Sequence, residues 1–163
     1  MSFHKIGNWG AIETLVANLQ HDLNESAKLS VRRFALKAEG LAKKHISAQD
    51  LNWKPLSPKY AAQKARQGFS TNIYVRTATY FTSITSWTEG LTGLAGIKRT
   101  AKGQDGEDLA NVAKVLEYGS ASRNIEKRPL WDPVMKETVQ WHMATNLPSM
   151  IFLERAKAKY GVI

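Results

Sequence analysis

Leu51-Asn-Trp-Lys-Pro-Leu-Ser-Pro-Lys-Tyr60 divides the chain. Pro55 and Pro58 disfavour helix at the residues before them, so the stretch from Asp50 to Pro58 reads as a non-helical connector. Ser57 is then an N-cap, with Pro58 the first residue of a short basic helix to about Gln67. Gly68 is the helix stop. Trp53 and Leu56 are read as plugging the connector into the core.

Upstream, the spacing predicts one long amphipathic helix from about Trp9 to Ile46. Ile12, Val16, Leu19, Leu23, Ala27, Val31, Phe34, Ala38 and Leu41 recur in steps of three and four, which makes one continuous apolar stripe. No proline interrupts it, and Gly40 is its one weak interior position. At ~100° per residue, Lys28, Arg32 and Lys43 fall opposite the stripe, and Arg33, Lys37 and Lys44 flank it. Leu15, Leu29 and Leu36 form a thinner second line, read as a surface for a neighbouring subunit.

Downstream, a short helix capped near Thr77 hands over to a hairpin of Ser83 to Glu89 and Gly93 to Arg99. The polar run Thr100 to Asp108 reads as a mobile loop. Val115-Leu-Glu-Tyr-Gly-Ser120 ends a helix begun at Leu109, with Gly119 as a left-handed C-cap. After a second loop to Lys127, Arg128-Pro-Leu-Trp-Asp-Pro-Val134 opens a final helix to about Asn146. Pro148 is expected to kink or end it. About 147–163 then reads as a C-terminal extension of one domain covering 1–163.

At 163 residues the chain suits one domain with a real core. It has no cysteine, so disulfides, thiolate chemistry and Cys-based zinc sites are excluded. No apolar run approaches the ~20 residues that span a bilayer, and Met1-Ser-Phe-His-Lys-Ile-Gly-Asn lacks the layout of a secretory signal. Cytosolic synthesis is expected. The net charge is +9, and residues 26–68 hold ten basic side chains against Glu39 and Asp50. That asymmetry points to a polyanionic neighbour or to a solvated face, and location decides between them.

Little in the sequence points to catalysis. His4, His21, His45 and His142 are far apart and in no metal-binding spacing. No phosphate-binding loop, dinucleotide fingerprint or nucleophile elbow occurs. Asp105-Gly-Glu-Asp108 lacks the ligand spacing of a calcium loop. The five tryptophans, Trp9, Trp53, Trp87, Trp131 and Trp141, sit at helix starts, connectors, strands or apolar lines. That favours packing over base stacking. The expectation is a non-enzyme without cofactor or metal.

Taken in order, four motifs resemble the tail-component (tail-completion or neck) proteins of tailed double-stranded DNA bacteriophages. They are Trp53, Pro55, Leu56 and Ser57; Thr77 with Ser83 and Ile84; Glu117, Tyr118 and Gly119; and Arg128, Pro129, Leu130 and Trp131. The resemblance covers about residues 10–145. It departs at Ala78, where glycine is usual, which suggests a turn that need not be left-handed here, and at Tyr80, where leucine is usual.

The resemblance implies an α+β fold: a small twisted antiparallel sheet packed by a long N-terminal helix and a C-terminal helix. It implies a virion subunit, commonly in a sixfold ring, that joins the head-tail connector to the tail tube or tail terminator around a DNA channel. No cofactor or catalysis belongs to that role. A conduit for sliding DNA needs sequence-independent phosphate contact, so Lys28, Arg32, Lys43 and Lys44 become candidates for the lumen or for an acidic partner. The loops 100–108 and 120–127 become candidate docking elements. The alternative is a stand-alone basic nucleic-acid-binding protein.

Overall fold

The computed structural model describes residues 7, 9–75 and 78–161; Thr77, and with it the expected cap, lies outside them. Among the described residues the α-helices and strands are, in order, α1 (Trp9–Ala48), α2 (Pro58–Arg66), α3 (Thr79–Ser83), β1 (Ile84–Glu89), β2 (Thr92–Ile97), α4 (Leu109–Tyr118), α5 (Trp131–Thr145) and α6 (Leu147–Tyr160), with a single 3-10 turn at Ala121–Arg123. The fold is α+β, with a two-stranded antiparallel sheet against a long N-terminal helix whose other flank carries the C-terminal helices.

The hairpin forms because β-branched and aromatic residues of β1 meet a turn that glycine permits. Gly90 opens the two-residue turn at φ +61°, and the register runs from Glu89 opposite Thr92 to Ile84 opposite Ile97. Close approach to α1 needs Gly93. A Cβ there would stand 2.9 Å from the Val31 carbonyl oxygen. Small residues of α1 serve the same end, since Ala35, Ala38 and Ala42 are buried under the hairpin side of the core.

The core joins Leu41, Ile46, Tyr80, Ile84, Leu130 and Val134. Burying each of the larger aliphatic side chains contributes roughly 1.5–3 kcal/mol. Helices α5 and α6 run consecutively down α1, antiparallel to it: His45 meets Glu137, Phe34 meets His142, and Asp22 meets Lys159. Between them, Asn146 turns left-handed at φ 43° and Pro148 lies in the first turn of α6. The segment expected as an extension packs along α1 through Leu147, Ile151 and Ala156.

The continuous apolar stripe on α1 needs correction. Ile12, Val16, Leu19 and Leu23 are exposed, Val16 at 64%, whereas Asp22, Ser26 and Ser30 are buried. The small polar residues let α6 come close, and α6 ends at Tyr160 opposite Asp22, so α6 does not continue over the stripe before that point. No described residue of α1 before Asp22 is buried.

Three local readings also change. Ala78 is left-handed, φ 59° and ψ −15°, although it is not a glycine. The chain must reverse into α3, and the turn keeps its shape at a cost of roughly 1–2 kcal/mol for an L-residue. Gly119 has φ 77° but ψ 176°, an extended form open to glycine alone rather than a left-handed cap. The loop before α4 is closed by hydrogen bonds: Gly103 N–H donates to the Glu107 carbonyl at 2.8 Å, and Asp108 caps α4 through Ala110 N (3.0 Å) and Asn111 N (3.2 Å).

Candidate functional site

Motif residues far apart in sequence close on one another. The Trp53 indole N–H donates to the Pro129 carbonyl at 2.8 Å. Arg128 is buried; its Nε donates to the Lys54 carbonyl at 3.3 Å and its backbone N–H to the Leu116 carbonyl at 2.7 Å. The Tyr74 hydroxyl donates to the Arg128 carbonyl, and burial pushes its pKa well above the ordinary tyrosine value. Glu117 accepts from Leu130 N at 2.9 Å and from Trp131 N at 3.2 Å. A Cβ on Gly119 would stand 3.0 Å from both the Ile125 carbonyl oxygen and Lys127 N. Connector, α4 and the start of α5 are thereby tied into one junction.

Other motif residues stand outside it. Pro55 is exposed and acts through the connector's backbone. Tyr118 is 76% exposed, because Leu116 and Glu117 take the inward face of the last helical turn. Beside the junction lies an open cleft of about 670 Å³ lined by Tyr80, Leu109, Leu116, Ile125, Lys64 and Arg128. Lys64 is buried and donates to the carbonyls of Asn72 (3.0 Å) and Val75 (3.1 Å). Both cations direct donors to backbone oxygens that would otherwise be desolvated and unmet.

The basic segment does not make one continuous cationic face. Lys28 is bound by Glu25 at 2.8 Å and Lys43 by Glu39 at 2.6 Å; Ser86 Oγ–H donates to the other oxygen of Glu39. Arg33 approaches Glu154, Lys37 lies over the Trp141 ring, and Lys54 pairs with Glu126. Arg32, Lys44, Lys59 and Arg66 are exposed and make no ion pair among the described residues. Of the four lumen candidates, Arg32 and Lys44 are therefore open to an outside anion. Lys28 and Lys43 carry their own counter-charges.

The second leucine line is likewise split. Leu36 is 51% exposed, while Leu15 and Leu29 are half-buried. Leu36 shares a small hollow of about 140 Å³ with Arg32, Ser86 and Trp87. Two polar clusters were missed from the sequence. Buried His45 has Nδ1 2.6 Å from Asp50 and Nε2 2.9 Å from Glu137, the latter not aligned as a hydrogen bond. Its bond holds Asp50 below the usual carboxylate range. Asp22 accepts from the Tyr160 hydroxyl at 2.5 Å and Lys159 Nζ at 3.0 Å, and both hold its carboxyl below that range. Partners 137 and 138 residues away leave no local trace. Asp22, Ser26 and Ser30 beside an apolar stripe were the available hint.

Among the described residues, no helix is long and apolar enough to cross a membrane. The junction and the helix-flanked hairpin define a small α+β protein held together by motif-to-motif hydrogen bonds. No family model, no curated protein and no solved structure matches the chain.

Proposed function

We propose that the chain is a structural subunit of a phage neck, joining the head-tail connector to the tail tube or tail terminator as part of a ring around the DNA channel in the virion. The observation that carries this reading is the junction. The connector, glutamate-aromatic-glycine and arginine-proline motifs that prompted the resemblance meet in one hydrogen-bonded unit. A ring subunit needs a rigid frame with separate faces for two neighbours, and the junction supplies the frame. Arg32 and Lys44 give weak, salt-sensitive attraction for passing phosphates without base readout.

A stand-alone nucleic-acid binder is less well supported, because four of the ten cations of residues 26–68 are paired with acids, Lys37 lies over Trp141 and Lys64 is buried on backbone carbonyls. Light scattering of the purified chain at two salt concentrations tests the choice, alone and mixed with a connector or tail-tube protein. A defined oligomer, alone or only with such a partner, supports the neck reading. A monomer that ignores both proteins and binds duplex DNA tightly at low salt overturns it.

A further inference from the structure

The exposed half of α1 and a second apolar line on α5 are matched surfaces on one chain. Ile12, Val16, Leu19 and Leu23 follow steps of four, three and four, the spacing with which one helix seats against another. Lower down the same helix, that side becomes a helix–helix seam with α6, in which Ser26 and Ser30 are buried. On α5, Met135, Val139 and Met143 form one solvent-facing ridge at i, i+4 and i+8, with Met143 75% exposed. Methionines suit such a ridge, since they adapt to an incoming surface.

The arm cannot reach the ridge of its own chain. Lys37 of α1 lies over Trp141 of α5 at 5.5 Å, so α5 sits about 20 Å down the helix axis from Leu23. No proline breaks α1 to let it fold back. Charge narrows the occupant further. Residues 9–27 contain no Lys or Arg in a chain of net charge +9, which disfavours DNA or an anionic membrane surface as the arm's partner. On the ridge, Lys136 is neutralised by Asp132 at 2.7 Å. Neither surface therefore presents an unpaired Lys or Arg to a second, equally charged copy.

We propose that the N-terminal arm of α1 of one copy docks along the Met135–Val139–Met143 ridge of α5 of a second copy. The contact is heterologous, because it uses two different surfaces, and it therefore propagates head to tail and closes a ring if the rotation allows. The ring reading above supplies that closure; the contact stands on association alone.

Two double variants at exposed positions test it without touching the core: Val16→Glu with Leu19→Glu on the arm, and Val139→Glu with Met143→Glu on the ridge. Circular dichroism checks that each keeps its helix content, and sedimentation gives its mass. The wild type associates with rising concentration, each double variant alone stays monomeric, and an equimolar mixture restores a one-to-one dimer that grows no further. That dimer joins the intact arm of one variant to the intact ridge of the other. A ridge variant that associates like the wild type overturns the proposal, as does a mixture that stays monomeric while the wild type associates; either result leaves the ring reading standing with its contact elsewhere. A wild type monomeric at millimolar concentration also overturns it, and if it stays so with connector protein present the ring reading falls too.

Discussion

Glu117, at the end of α4, caps the N-terminus of α5 by accepting from Leu130 N at 2.9 Å. Helix α5 has no side-chain cap of its own, since Leu130 occupies the N-cap position. A carboxylate at that site meets otherwise orphaned N–H groups and the positive end of the helix dipole together.

Glu117→Ala is therefore expected to destabilise the protein by about 1–2 kcal/mol. Glu117→Gln keeps one acceptor oxygen, loses the charge and should cost less. Urea midpoints of the two variants check this. Equal midpoints for wild type and Glu117→Ala would show that the cap contributes nothing.

Two backbone positions should respond with opposite sign. Ala78 holds a left-handed conformation with a Cβ, so Ala78→Gly relieves roughly 1–2 kcal/mol. Glycine's greater freedom when unfolded takes back ~0.4–1 kcal/mol, and a net gain of about 0.5 kcal/mol is expected. Gly119→Ala meets both a glycine-only conformation and two backbone atoms at 3.0 Å, and a loss of about 2–3 kcal/mol is expected. Chemical denaturation of the pair settles both signs.

Acid stability should depend on Asp22. Its carboxyl is held low by the Tyr160 hydroxyl and then by Lys159. A group with a depressed folded pKa contributes stability above its unfolded value, about 3.9 for aspartate, and loses it as pH falls through the folded value. Between pH 6 and 2.5 the wild-type denaturation midpoint should fall, and that of Asp22→Asn should fall less. Parallel curves would mean that other carboxylates, such as Asp50 and Asp108, carry the whole effect.

Local chemistry was legible in the sequence and distant chemistry was not. Ser57 caps α2 through Tyr60 N at 3.3 Å, Pro58 begins the helix and Gly68 follows it at φ 74°. Each depends on residues within one turn. The hairpin and the boundaries of α1 are legible for the same reason. Which face of α1 is buried is a different matter, because it depends on where α6 ends. A period of 3.6 cannot distinguish a covered apolar stripe from an open one. The candidate cations differ: Glu25 and Glu39 lie within one turn of Lys28 and Lys43 and engage them, a pairing that the i, i+3 and i, i+4 spacing already offered.

Helix α1, 40 residues and about 60 Å long, is one rod by geometry but two by free energy. Residues near Ile46 cannot open without dismantling the core, whereas no described residue of the helix before Asp22 is buried, so that end opens at a smaller cost. In the isolated chain, amide hydrogens in the first three turns should exchange orders of magnitude faster than those between Ala35 and Ile46. The rod can fray and re-form at one end while the other holds its shape.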